Sequence, residues 1–90
     1  MKYYEFDQDV LDPTTDEYLE CLVAYQWAEA EPDVGLPAGP VNISIAAYVQ
    51  GVIGSIPLYP INFDDLPTSD KDHLVEAIRL DYLERRSTTH

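Results

Sequence analysis

Apolar and polar positions along this chain change rhythm from one segment to the next. Between Asp12 and Glu31, turning about 100° per residue gathers Tyr18, Leu19, Cys21, Leu22 and Tyr25 on one broad face, with Asp16, Glu20 and Glu31 opposite. Thr14 with Glu17 three residues on reads as a capping box, Asp16 and Glu17 suit the positive end of a helix dipole, and Pro32 closes the segment near Glu31. The pattern predicts a first helix over residues 14–31. Trp27 falls on its acidic side, where it is either covered by a second element or offered to a partner as an aromatic anchor.

Further on, Ser44 is placed to cap a second helix over 44–54, with Ile45, Tyr48, Val49, Val52 and Ile53 at helical spacing and Gly51 and Gly54 weakening it. A strand competes there, because Val41, Ile43 and Ile45 alternate with polar neighbours until Ala46 and Ala47 interrupt. Pro57 and Pro60 bar a central strand over Ser55 to Phe63, which reads as an extended apolar loop laid over the core. A third helix over 69–86 is capped by Thr68 or Ser69. It carries Asp70 and Asp72 in its first turn and Arg85 and Arg86 in its last. Leu74, Val75, Ile78 and Tyr82 form its core seam, and Asp81 and Arg85 form an i,i+4 pair. Leu80 and Leu83 point away beside Glu76, so they are covered on a second side or belong to an interface. Tyr3-Tyr4-Glu5-Phe6 is an extended arm or a short edge strand. The expected fold is mainly α: one acidic helical domain over 1–90, with three helices, a Pro-rich apolar loop and an extended N-terminal arm.

Composition sharpens this picture through charge. At 46% hydrophobic residues the 90-residue chain has enough apolar matter to collapse. Seventeen Asp and Glu stand against five Lys and Arg, a formal net charge of -12 that repels nucleic acid and anionic membranes. The first 33 residues hold ten of the acids and only Lys2 in opposition, whereas residues 34–63 carry no charge at all. That neutral block is too short for a membrane span, since its prolines leave about 13 uninterrupted residues, Ser44 to Ile56. A single cysteine excludes an intramolecular disulfide, and the opening residues lack a secretory signal, so a cytoplasmic location is expected.

Candidate chemistry is sparse. Asp7-Gln8-Asp9 begins like a calcium loop, but Asp12 stands where the turn glycine belongs and Tyr18 where the bidentate Glu belongs. His73 and Glu76 are one helical turn apart and amount to only two ligands. Cys21 lies on an apolar face with no histidine near it in sequence. Gly51-Val52-Ile53-Gly54 lacks the basic neighbours a phosphate clamp requires. The Asp-Ser-Leu attachment motif of acyl carrier proteins is missing as well. No enzymatic activity, cofactor or metal is expected.

The charge therefore carries the functional expectation: a small acidic inhibitor that occupies the basic, nucleic-acid-binding surface of a partner protein. Asp16, Glu20, Glu31 and Glu76 would meet the basic groups, and Trp27, Leu80 and Leu83 would supply the desolvated contact. In class and composition this resembles the nucleic-acid mimics, anti-restriction proteins and anti-CRISPR proteins that phages and plasmids deploy. The alternative is a homo-oligomer, in the simplest case a homodimer, acting as a structural or adaptor protein whose acidity serves solubility or high-salt adaptation.

Overall fold

Period two, not period 3.6, organises the first two-thirds of the chain. A computed structural model describes residues 2–31, 33, 35 and 37–88. It contains strands β1 (Tyr3–Asp12), β2 (Glu17–Ala28), β3 (Gly39–Gly51) and β4 (Gly54–Ile61). A 3-10 turn over Phe63–Asp65 then leads into one helix, α1 (Thr68–Thr88). The strands pair antiparallel in the order β1-β2-β3-β4, a meander. With 53% strand against 29% helix, the chain is not the mainly-α, three-helix domain that its local patterns suggest.

The predicted helix over 14–31 is the β1–β2 turn and β2. Leu19, Cys21, Val23, Tyr25 and Trp27 alternate onto one face, and Cys21, Val23 and Tyr25 have no accessible surface. Val, Tyr and Trp suit a pleated, half-buried surface, and β1 supplies the partner that a lone helical reading ignores. Asp12-Pro13-Thr14-Thr15-Asp16, read as a helix cap, is a hairpin turn. The Thr14 amide donates to the Asp12 carboxylate at 2.9 Å, the Asp16 amide donates to the Asp12 carbonyl at 2.8 Å, and Asp16 takes a φ of 62°. Helix caps and turns draw on the same short polar side chains bonding to nearby backbone, so the local signal is shared. Pro32 lies outside the described residues.

The predicted second helix is the end of β3 and the β3–β4 turn. Alternation runs on from Ile45 to Ala47, and both are buried. Gly51 and Gly54 flank the two-residue turn Val52-Ile53: a Cβ on Gly51 would sit 2.9 Å from the Gly54 carbonyl oxygen, and Gly54 has a φ of 130°. These are glycines of a tight hairpin rather than defects in a helix. The prolines of β4 are accommodated because β4 is an edge strand. It lies along the outside of β3 rather than over the core, and only Ile61 is buried. The N-terminal segment is a full ten-residue strand.

The expected third helix is present as α1. It lies across one face of the sheet and buries Leu74 and Ile78 against Val10, Cys21, Val23, Tyr25, Ile45, Ala47 and Ile61, with Leu66 closing the cluster. Each fully buried aliphatic side chain contributes about 1.5–3 kcal/mol of apolar transfer. Helix and sheet thus form two layers, and no element of the described chain covers the other sheet face. The extents are 48 × 32 × 18 Å, and the radius of gyration of 14.4 Å exceeds the roughly 12 Å of a compact chain this long. One cause is visible in the register. β2 leaves β3 at Cys21↔Ala47, whereas β1 and β2 stay paired to Asp12↔Glu17 and β3 and β4 to Gly51↔Gly54, so the two hairpins part beyond that point.

Candidate functional site

The sheet face away from α1 carries the densest charge. Alternation along β1 places Glu5, Asp7 and Asp9 on that face, all exposed, while Tyr4, Phe6 and Val10 turn toward the helix. Successive same-face residues on a strand are about 6.8 Å apart, so the three carboxylates form a line along the edge strand. Glu20 of β2 stands directly across from Asp9, Leu22 across from Asp7 and Ala24 across from Glu5. Like charges facing one another across a strand pair destabilise a sheet, so Asp9 opposite Glu20 works against folding.

The field of this row is visible at Tyr48 on β3, whose hydroxyl donates to Asp7 Oδ1 at 2.7 Å. Its pKa is raised to about 12, first by that hydrogen bond, then by desolvation and by the nearby charges of Asp7, Glu20 and Glu5. Nothing basic offsets the row from within the sheet, since residues 3–70 contain no Lys or Arg. Four of the five cations lie on α1. Arg79 Nε donates to Glu76 at 3.0 Å, and Arg85 Nε donates to Asp81 at 2.7 Å.

The β3–β4 hairpin is exposed and apolar. Val52 and Ile53 at the β3–β4 turn are 103% and 98% exposed, and Val49, Ile56 and Leu58 along the same hairpin are exposed too. Five exposed aliphatic side chains without a charge among them make this hairpin a candidate interaction element.

The residues singled out from the sequence do not make one surface. Asp16 lies in the β1–β2 turn, and Glu20 is on the open sheet face. Trp27 lies toward the other end of β2, half-buried on the helix side with its indole stacked on Tyr82 at 4.1 Å between ring centroids. Glu31 is exposed in the β2–β3 connection. Glu76, Leu80 and Leu83 are exposed on α1, which packs on the opposite side of the sheet from Glu20. The expectation that Trp27 shares a side with Asp16, Glu20 and Glu31 rested on a helix over 14–31, where the chain instead forms the β1–β2 turn and β2. The acids that do form a row, Glu5, Asp7 and Asp9, carried a legible signal, the alternation of acids with Tyr4, Phe6 and Val10.

Elsewhere the chemistry is muted. The Cys21 thiol is fully buried, and burial pushes its pKa up to about 11, which removes the thiolate a nucleophile needs. Asp12 is held below the usual carboxylate range, chiefly by the Thr14 amide, and serves the turn. Among the described residues no group of three or more His, Cys, Asp or Glu is arranged to hold a metal ion. None of the described helices is long and apolar enough to cross a membrane. No protein-family model, curated protein or solved structure matches this chain significantly, so its function is argued from its own residues.

Proposed function

We propose that this protein is a small acidic inhibitor that binds a basic, nucleic-acid-binding surface of another protein in the cytoplasm, using the open sheet face rather than a helix. The observation that carries this reading is the uncompensated row Glu5, Asp7, Asp9 with Glu20 across from Asp9, in a sheet without a single cation. A sheet stabilised for its own sake would place a lysine in such a row, and the repulsion left standing is relieved when a basic surface docks. The exposed Val52-Ile53 turn supplies apolar contact, which adds residence time to an association that charge makes fast.

The test is competition. A basic partner captured from the host at low salt is offered its nucleic acid together with this protein, as wild type or with Glu5→Gln, Asp7→Asn, Asp9→Asn and Glu20→Gln combined. The wild type displaces the nucleic acid, and the four-site variant loses this ability while a variant neutralised at Asp72 and Glu84 of α1 keeps it. A complex that survives molar salt unchanged, or equal competition by the four-site variant, would refute the reading.

A second reading, self-association as a homo-oligomeric adaptor, is favoured by the exposed hairpin and by Leu80 and Leu83, which are 55% and 42% exposed. Sedimentation separates the two, since this reading requires a dimer that Ile53→Asp dissociates.

A further inference from the structure

The positive charge of this acidic chain is concentrated at one place. Lys2, Arg85 and Arg86 line a single open cavity of about 280 Å³ together with the rings of Tyr4 and Tyr82. Three of the chain's five cations thus meet in one cavity, which lies on the helix side of β1, across the sheet from the carboxylate row.

Pairing with the protein's own acids does not account for this gathering. Seventeen carboxylates are available, yet among the described residues neither Lys2 nor Arg86 has one within ion-pair distance, the pairs being Arg79 with Glu76 and Arg85 with Asp81. Compensation of the helix dipole explains cations in the last turn of α1. It does not explain Lys2, which comes from the other end of the chain and holds its ammonium 5.4 Å from the Tyr4 ring centre. The Arg85 guanidinium sits 5.6 Å from the same ring and also donates to the Glu5 carbonyl, which fixes it at the cavity wall. The rings are fixed as well. Tyr4 packs against Tyr25 and makes an edge contact with Tyr82, one face of Tyr82 is stacked on Trp27 and its hydroxyl is engaged by Glu29 at 3.2 Å, so what Tyr82 offers the cavity is the remainder of its ring. Asp81 is bonded to Arg85 and offsets one charge of the three.

We infer that this cavity binds a small phosphate monoester carrying a planar ring, of the nucleoside monophosphate class. Lys2 and Arg86, supported by Arg85, hold the phosphate, and the Tyr4 and Tyr82 rings lie against the planar group. Guanidinium and ammonium groups recognise phosphate through charge-assisted hydrogen bonds, and aromatic side chains accept a base on their faces without reading its identity. The site is independent of the acidic face and stands or falls separately from the inhibitor reading.

Calorimetric titration of the full chain at low ionic strength, with adenosine monophosphate and with glycerol 3-phosphate as the ringless comparison, tests the assignment. Saturable binding of adenosine monophosphate is expected, at least several-fold tighter than glycerol 3-phosphate. Lys2→Gln combined with Arg86→Gln weakens it about tenfold or more. Arg79→Gln, which removes a single positive charge elsewhere on the same helix, leaves it unchanged. Absence of saturable binding at millimolar ligand, equal affinity for the two phosphates, or an equal loss with Arg79→Gln overturns the proposal. Circular dichroism of both variants confirms that each is folded when titrated.

Discussion

Tyr25→Phe probes the contact that ties α1 to the centre of the sheet. The Tyr25 ring has no accessible surface, and its hydroxyl donates at 2.7 Å to Asp81 Oδ2, which also accepts from Arg85 Nε at 2.7 Å. Removing the hydroxyl keeps the ring and its volume but deletes one hydrogen bond to a charged acceptor, worth about 1.5–3 kcal/mol. Arg85 continues to satisfy Asp81, which places the expected loss at the lower end, near 2 kcal/mol. Against the roughly 5–13 kcal/mol available to a chain of this length, that corresponds to a fall in Tm of about 8–16 °C.

The same substitution carries a pH signature. Burial first, and then the hydrogen bond to Asp81, raise the Tyr25 pKa above the ordinary tyrosine value of about 10. The folded chain therefore keeps a proton that the unfolded chain gives up. The associated stability is fully present below about pH 10 and is lost as pH rises toward the folded value, at about 1.4 kcal/mol per pH unit for one proton. Tyr18, Tyr48 and Tyr82 are raised as well, so alkaline destabilisation becomes shallower in Tyr25→Phe without vanishing. Urea unfolding followed by Trp27 fluorescence at pH 7 and across pH 9.5–11 measures both effects. A variant within about 0.5 kcal/mol of wild type at pH 7, with a parallel alkaline limb, would show that the Tyr25–Asp81 bond does not hold helix to sheet.

Two further outcomes follow from the packing. Ile78→Ala, at a position with no accessible surface, is expected to destabilise by about 2–5 kcal/mol in urea unfolding, whereas Leu80→Ala, two residues on and 55% exposed, stays within about 0.5 kcal/mol; similar losses would place α1 wrongly on the sheet. With its pKa near 11 and its side chain buried, Cys21 is expected to resist a thiol-reactive disulfide reagent at pH 8 until urea unfolds the chain. Rapid stoichiometric labelling of the folded protein would contradict its burial.

The helix at the C-terminus was legible because its signals are local. Asp70 at the start, Arg85 and Arg86 at the end, Leu74 and Ile78 on one seam and the Asp81–Arg85 pair all act within one or two turns, and the pair stands at 2.7 Å as the spacing implies. The segment over 17–28 reads falsely as a helix because Leu19, Cys21, Leu22 and Tyr25 satisfy period 3.6 while Leu19, Cys21, Val23, Tyr25 and Trp27 satisfy period two. Ala46 and Ala47 are equally permissive, being small and apolar on whichever face they fall. Of the candidate site, the weight of acid in the first third of the chain was visible, but its arrangement was not. Glu20 joins Asp9 only through strand pairing, and Trp27 leaves the acidic surface because its ring stacks on Tyr82, 55 positions along the chain.

By itself, then, the sequence determined the C-terminal helix, the net charge of -12, the complete lack of Lys and Arg from residues 3–70 and the uncharged block over 34–63. Tertiary structure alone decided that β1 to β4 form a sheet, that Glu5, Asp7, Asp9 and Glu20 share one face, and that Lys2 meets Arg85 and Arg86 around two tyrosines. The physical reason is the range of the interactions. A helix completes its hydrogen bonds within four residues, so its sequence carries its own evidence. A strand completes them with a partner such as Ala47 for Cys21, and two near-equal local periodicities are separated only when that distant partner buries one of the two faces.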